Sequence, residues 1–273
     1  MAQSLDSATR DALAERLRFY RDLGLTEFYQ RPVDPALMAQ LAARPEEAQT
    51  ETSQPVLFQE EAPIPSRKHI SEPPQVVAAI PAADHAAALQ IIRDEIGDCT
   101  RCALHKGRNK LVFADGDPNA RLMFVGEGPG ADEDAQGLPF VGKAGQLLNN
   151  MIGAMGLKRE QVYIANVVKC RPPGNRTPEP EEGNTCSPFL FRQIDVVQPQ
   201  VLVALGATAA TYLLGMRQPL AGLRGRVHAF RGMQLIITYH PAYLLRDPRQ
   251  KKEAWADLQI AMKELGLKPP SKA

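Results

Sequence analysis

Arg121-Leu-Met-Phe-Val-Gly-Glu-Gly-Pro-Gly-Ala-Asp-Glu-Asp-Ala-Gln-Gly-Leu-Pro-Phe-Val-Gly-Lys-Ala-Gly145 is the stretch that decides how the chain is read. Its apolar run, Leu122 to Val125, is short enough for a buried strand. It empties into a loop dense in glycine and proline, and an apolar helical pattern follows from Gly145. Strand, loop and helix start in that order put the loop at the carboxyl end of a strand, where open α/β sheets bind ligands. Glycine there lets backbone approach a ligand closely. The loop also carries Glu127, Asp132, Glu133, Asp134 and Phe140. Four acids and an aromatic suit a flat polar ring better than a phosphate.

Further apolar runs, Val162 to Val168, Val201 to Leu205 and Leu235 to Thr238, alternate with helical patterns such as Leu89, Ile92 and Ile96. That alternation argues a parallel or mostly parallel sheet with helices on both faces. Asn166 lies near the end of the first run, Gly206 follows the second and His240 follows the third. Polar residues thus gather at strand ends, around the crevice opened by the Glu127 loop.

The earlier part of the chain reads differently. Leu5, Leu13, Leu17, Tyr20 and Leu23 fall near helical spacing with charges between them, which predicts one amphipathic helix within residues 1–44. Residues 45–82 turn to Pro, Glu, Gln, Ser and Ala, a composition that buries too little apolar surface to order a chain, and are read as a linker. The regular domain spans 83–273. Residues 1–82 carry 8 Lys and Arg against 12 Asp and Glu, the remainder 24 against 19. The basic balance of the later part permits a nucleic-acid partner, while the first helix could dock a protein. No apolar run approaches the roughly 20 residues that span a bilayer, and no signal peptide pattern opens the chain, so a monomeric cytoplasmic protein, nucleoid-associated when acting, is expected.

All four cysteines lie in the later part: Cys99-x2-Cys102, then Cys170, then Cys186. Disulfides are improbable in a reducing compartment, so metal ligation leads, with a set of buried structural thiols as the lesser alternative because packing explains the Cys-x2-Cys pair poorly. Four thiolates suit tetrahedral zinc or an iron–sulfur cluster, and spacing alone does not choose between them.

Gly-Glu-Gly-Pro-Gly at 126–130, Gly-x-Pro-Phe-Val-Gly at 137–142, Asn-Val-Val-Lys-Cys-Arg-Pro-Pro-Gly-Asn-Arg at 166–176 and His-Pro-Ala-Tyr-Leu-Leu-Arg at 240–246 resemble the family 4 uracil-DNA glycosylases, over roughly residues 86–265. The resemblance implies a three-layer α/β sandwich around a central four-stranded parallel sheet. It implies a base-excision repair enzyme that hydrolyses the N-glycosidic bond of uracil in single- or double-stranded DNA. It makes Cys99, Cys102, Cys170 and Cys186 the ligands of a [4Fe–4S] cluster. It is silent on residues 1–82.

The same resemblance assigns roles around the crevice. Phe140 stacks on the base, Asn166 reads its edge, Glu133 lies near C5 where it would crowd a thymine methyl, and His240 donates to O2. Gly126 and Gly128 complete the base site; Gly128 stands where other uracil glycosylases have a water-activating Asp, so Glu127 is expected to position water or to stabilise the sugar cation. Backbone at Pro129 and Gly130, with Lys143, Lys169, Arg171, Arg176 and Arg246, is expected to meet phosphates. Leu244 and Leu245 are candidates for an apolar wedge, with one of the two expected to pack inward. His69, His85, His105 and His228 read as ordinary loop residues. Two alternatives stand beside this reading: a glycosylase of other base specificity on the same scaffold, or a non-enzymatic iron–sulfur module that binds nucleic acid. Relatives that form covalent adducts carry a basic, His-containing insertion where Asn166 here runs directly to Cys170, which disfavours the adduct-forming kind.

Overall fold

The computed structural model describes residues 70–71 and 81–268. The predicted helix within residues 1–44 and most of the proline-rich stretch lie outside the described residues. Among the described residues six strands form one mixed sheet in the spatial order β1-β3-β2-β4-β6-β5. They are β1 (Asp115–Gly116), β2 (Leu122–Gly126), β3 (Tyr163–Asn166), β4 (Val201–Leu205), β5 (Val227–Phe230) and β6 (Met233–Thr238). The four inner strands are mutually parallel, as expected. Antiparallel β1 and β5 close the two edges and extend the four-stranded expectation. Neither edge had a sequence signal: β1 is two residues long, and three of the four β5 residues are not buried.

Eight α-helices cover the sheet among the described residues: α1 (His85–Ile96), α2 (Ala131–Gln136), α3 (Lys143–Ala154), α4 (Pro180–Val197), α5 (Ala207–Leu214), α6 (Leu220–Leu223), α7 (Pro241–Arg246) and α8 (Lys251–Glu264). Alternation along the buried strands divides the core into two clusters. Met123, Val125, Leu202, Ala204, Leu235 and Ile237 face α1, α4 and α5, while Leu122, Phe124, Val201, Val203 and Ile236 face α3 and α8. That is the three-layer arrangement. Strands buried on both faces read as unbroken apolar runs, which is why all four inner strands were visible in the sequence.

The chain passes from β2 to β3 on one side and then returns to place β4 on the other side of β2. Such a reversal opens a crevice at the carboxyl ends of the strands. Residues 126–127, 166, 206 and 240 all follow those ends. One detail falls inside the predicted linker: Ile70 is buried in the first core cluster, and the amide of Ser71 donates to Asn184 Oδ1 at 3.0 Å.

Candidate active site and cysteine pocket

At the crevice lies a cavity of about 660 Å³. Glu127, Gly128, Pro129, Gly130, Glu133, Phe140, Lys143, Asn166, Arg176, His240 and Arg246 line it. Gly126 does not, but stands directly behind: a Cβ there would come within 2.4 Å of Asn166 Oδ1 and 2.5 Å of the Phe140 ring. Only glycine lets both side chains close over the end of β2.

Asn166 ends β3, 1% exposed, and its Oδ1 has no hydrogen-bond partner. A buried acceptor left unpaired costs about 1–3 kcal/mol, so native structures rarely keep one without a use. Here it belongs to a cavity wall, where a ligand N–H can satisfy it. Phe140, 5% exposed, shares that wall.

His240 precedes α7, whose first residue is Pro241. Its Nδ1 accepts a hydrogen bond from the Ala242 amide at 3.1 Å, so the neutral ring carries its proton on Nε2. Burial pushes the imidazole down to about 4; the positive charge of Arg246 adds to this, and Glu133 opposes it. The ring is therefore neutral at pH 7 and a donor through Nε2. Its centroid lies 5.5 Å from that of Phe140. A flat ring from the loop between α2 and α3, an amide acceptor at the end of β3 and a neutral imidazole donor after β6 line one cavity.

The sequence model of the uracil DNA glycosylase superfamily matches residues 113–259, which include every one of these groups. This chain belongs to that superfamily. It is 47% identical over 161 residues to the Type-4 uracil-DNA glycosylase of Thermotoga maritima, covering 58% of this chain and 84% of the relative. It is 40% identical over 192 residues to the Type-4 uracil-DNA glycosylase of Archaeoglobus fulgidus, covering 67% and 96%. Against the Sulfurisphaera tokodaii Type-4 uracil-DNA glycosylase the identity is 41% over 191 residues, with 67% and 86% covered.

Two further features of this superfamily member concern the carboxylates of the crevice loop. Thr208, at the start of α5, donates its hydroxyl to Glu127 Oε2 and so fixes one carboxylate oxygen across the crevice between β2 and β4. Glu133, read as a neighbour of the ring at C5, lies in the cavity wall with both oxygens engaged: Oε2 accepts from the Gly130 amide at 3.0 Å, and Oε1 from Val141 and Gly142 at 3.0 and 3.1 Å. It staples the start of α2 to the start of α3. Tertiary proximity makes the Thr208 contact, whereas the Gly130 contact is the i, i+3 capping box that opens α2 and those to Val141 and Gly142 span the short loop to α3.

Several residues expected to meet DNA are placed otherwise. Lys169 is buried, its ammonium donating to the Asn166 carbonyl at 2.8 Å and to Gln193 Oε1 at 2.5 Å, and burial pulls its pKa down to about 8. It is part of the interior and not a phosphate contact. Leu244 is 1% exposed within the second core cluster, whereas Leu245 is 44% exposed. Arg176 holds both Glu182 oxygens, at 2.8 and 2.7 Å, and Arg171 lies off the cavity with its Nε on Asn175 Oδ1 at 2.8 Å. Lys143 and Arg246 stand exposed on the cavity lining. His85, His105 and His228 each meet a backbone carbonyl; contrary to the loop reading, His85 is buried at the start of α1 and His228 lies in β5, while His69 lies outside the described residues.

The four cysteines line one small pocket together with Ile96, Leu111 and Phe189. All four are free thiols, so no disulfide competes for them. Their sulfurs receive N–H groups: Arg101 reaches Cys99 at 3.3 Å, Arg108 reaches Cys170 at 3.2 Å, and the Lys169 amide reaches Cys186 at 3.3 Å. Burial pushes the Cys186 thiol up to about 12. Among the described residues no group of three or more His, Cys, Asp or Glu side chains that could hold a metal ion is found.

Proposed function

We propose that this chain excises uracil from DNA by hydrolysing its N-glycosidic bond, leaving an abasic site. The observation that carries the reading is the unpartnered Asn166 Oδ1 in a cavity wall beside Phe140. A base must leave the duplex to enter such a cavity, stacking on an aromatic ring while its Watson–Crick edge is read. Uracil offers N3–H and O4, which match the amide acceptor and the amide NH2 in turn. Cytosine presents a bare N3 and an amino group, two mismatches. The wall stapled by Glu133 is held too firmly to yield to a methyl at C5, which disfavours thymine.

Cleavage leaves negative charge on the uracil and cationic character on the sugar. A fixed donor aimed at the oxygen where charge develops lowers that barrier, and neutral His240 presents Nε2–H for O2. Its Nδ1 cannot take a proton without losing the Ala242 contact, so the ring stays neutral and held in one orientation, with Nε2–H as its donor. Glu127, oriented by Thr208, supplies carboxylate charge or a hold on water beside the sugar. Exposed Lys143 and Arg246, with the loop backbone of Pro129 and Gly130, are suited to phosphates, and exposed Leu245 to the space vacated by the flipped nucleotide.

Cys99, Cys102, Cys170 and Cys186 line one pocket and are the residues that would hold a [4Fe–4S] cluster, each iron taking one thiolate. When bound, the cluster cross-links three separate segments beside the Asn166 loop. Residues 83–273 hold all the groups named. The deciding experiment incubates the purified chain with a uracil-containing oligonucleotide and treats it with alkali. Scission at uracil and none at cytosine or thymine is expected, and an intact uracil strand would defeat the reading. Iron and sulfide near four each per chain are expected; a single zinc would overturn the cluster.

A further inference from the structure

Phe140 occupies a backbone conformation that a bulky residue rarely adopts: its φ is +53°, in the left-handed region. Such a conformation persists only where the surroundings over-determine it. One side is set by Gly145, where a Cβ would stand 1.9 Å from the Phe140 carbonyl oxygen. The other is set by Arg159, in the turn ahead of β3 and outside the cavity lining. Its Nη2 donates to the Pro139 carbonyl at 2.6 Å and its Nη1 to the Phe140 carbonyl at 3.0 Å. Successive carbonyls of an extended strand point to opposite sides. Here the turned backbone at Phe140 brings two onto one guanidinium. The same group is anchored by Asn149 Oδ1 of α3 at 2.9 Å and by Asp115 Oδ2 of β1 at 2.8 Å.

We propose that Arg159 is a positioning residue for base recognition: its four-way clamp holds the Pro139–Phe140 backbone in the left-handed turn that presents the Phe140 ring to an extrahelical uracil. The proposal rests on the uracil-excision reading. Only a planar fork reaches two adjacent carbonyls and two anchors at once; the single ammonium of lysine cannot reproduce that geometry. It also explains why the two-residue strand β1 is kept: Asp115 ties the clamp to the sheet through its pairing with Ile164.

The test measures inhibition by free uracil, which reads the base site without DNA. Arg159→Lys should raise the uracil inhibition constant about tenfold and lower kcat/KM in proportion, while affinity for uracil-free DNA stays unchanged. In a Phe140→Ala background the same substitution should change neither value further, because the ring it positions is gone. An inhibition constant within twofold of the parent, or an equal loss in the Phe140→Ala background, overturns the proposal. Should Arg159→Lys give no soluble protein, Asp115→Asn decides by the same measure, with a rise of about threefold expected and no rise overturning it. Excision by the unaltered chain is measured alongside: its absence sinks both readings, whereas excision with an unmoved inhibition constant sinks only the role of Arg159.

Discussion

The cavity and the cysteine pocket are built from neighbouring segments to opposite electrical specifications. The cavity leaves Asn166 Oδ1 unpaired, keeps a neutral imidazole facing inward and holds Phe140 in a turned backbone. The cysteine pocket is apolar, and three of its four sulfurs receive N–H groups from Arg101, Arg108 and Lys169. Asn166 lines the cavity, and Lys169 and Cys170, three and four residues on, line the cysteine pocket. Lys169 joins the two most directly: its amide meets Cys186, and its ammonium meets the carbonyl of Asn166. A site with an unpaired buried acceptor would gain by relaxing to pair it, so it needs a neighbour that resists relaxation. The comparison teaches that the sulfur pocket is the rigid half of a pair.

The severest way to break that pairing is Cys170→Ala. Because metal binding free energy is also folding free energy, iron content and excision should fall together, the latter by about a hundredfold or more. A variant that lost its iron yet cut normally would show that the two sites are independent. Asn166→Asp attacks the other half. It replaces the amide donor with a charge beside the base, leaves the iron in place, and should slow uracil excision by roughly ten- to a hundredfold, the value of one unmatched buried hydrogen bond. Unchanged excision would remove Asn166 from the reading edge.

Acidity sharpens the comparison more gently. With His240 held near 4, the ring stays neutral with Nδ1 on the Ala242 amide to about pH 5, so a pH–rate profile should show no loss from this group between pH 8 and 5 and an acid limb only near 4, where protonation of Nδ1 breaks that contact and frees the ring to turn. An inflection near 6.5 would mean an ordinary exposed imidazole. Stability carries the same sign. Between roughly pH 6.5 and 4 the unfolded chain takes up a proton at this residue that the folded chain refuses, so this contribution to stability falls as pH drops through that window.

The smallest expected effect concerns Ile70 and Ser71. A chain beginning at residue 83 keeps every group of the two sites and should retain its excision rate. It loses one buried isoleucine and one hydrogen bond, about 2 kcal/mol in all, and should melt a few degrees lower than a chain beginning at residue 64. Equal melting temperatures would show that the contact is inconsequential.

What could be read in advance divides along physical lines. The inner strands were legible because burial on both faces writes an apolar run into consecutive residues, and the strand-end positions of Glu127, Asn166 and His240 follow from where those runs stop. The edge strands were not legible: Asp115–Gly116 is too short to form a pattern, and β5 has one buried residue. Lysine at 169 looked like a surface cation, since nothing local says that a lysine will find two acceptors inside. Leu244 and Leu245 are adjacent and chemically identical, so only the orientation of α7 could choose which faces the core.

The sequence by itself determined the layered α/β class, the order of the strands' contributions to one crevice, and the presence of four thiols in one domain, because local pattern and chain order carry that information. Tertiary structure alone decided which hydroxyl holds Glu127, that Asn166 is left wanting a donor, and that Arg159 clamps Phe140. The first and last of those are contacts between segments separated by intervening strands or helices. Such contacts depend on distances that no stretch of sequence contains until the sheet has brought its carboxyl ends together.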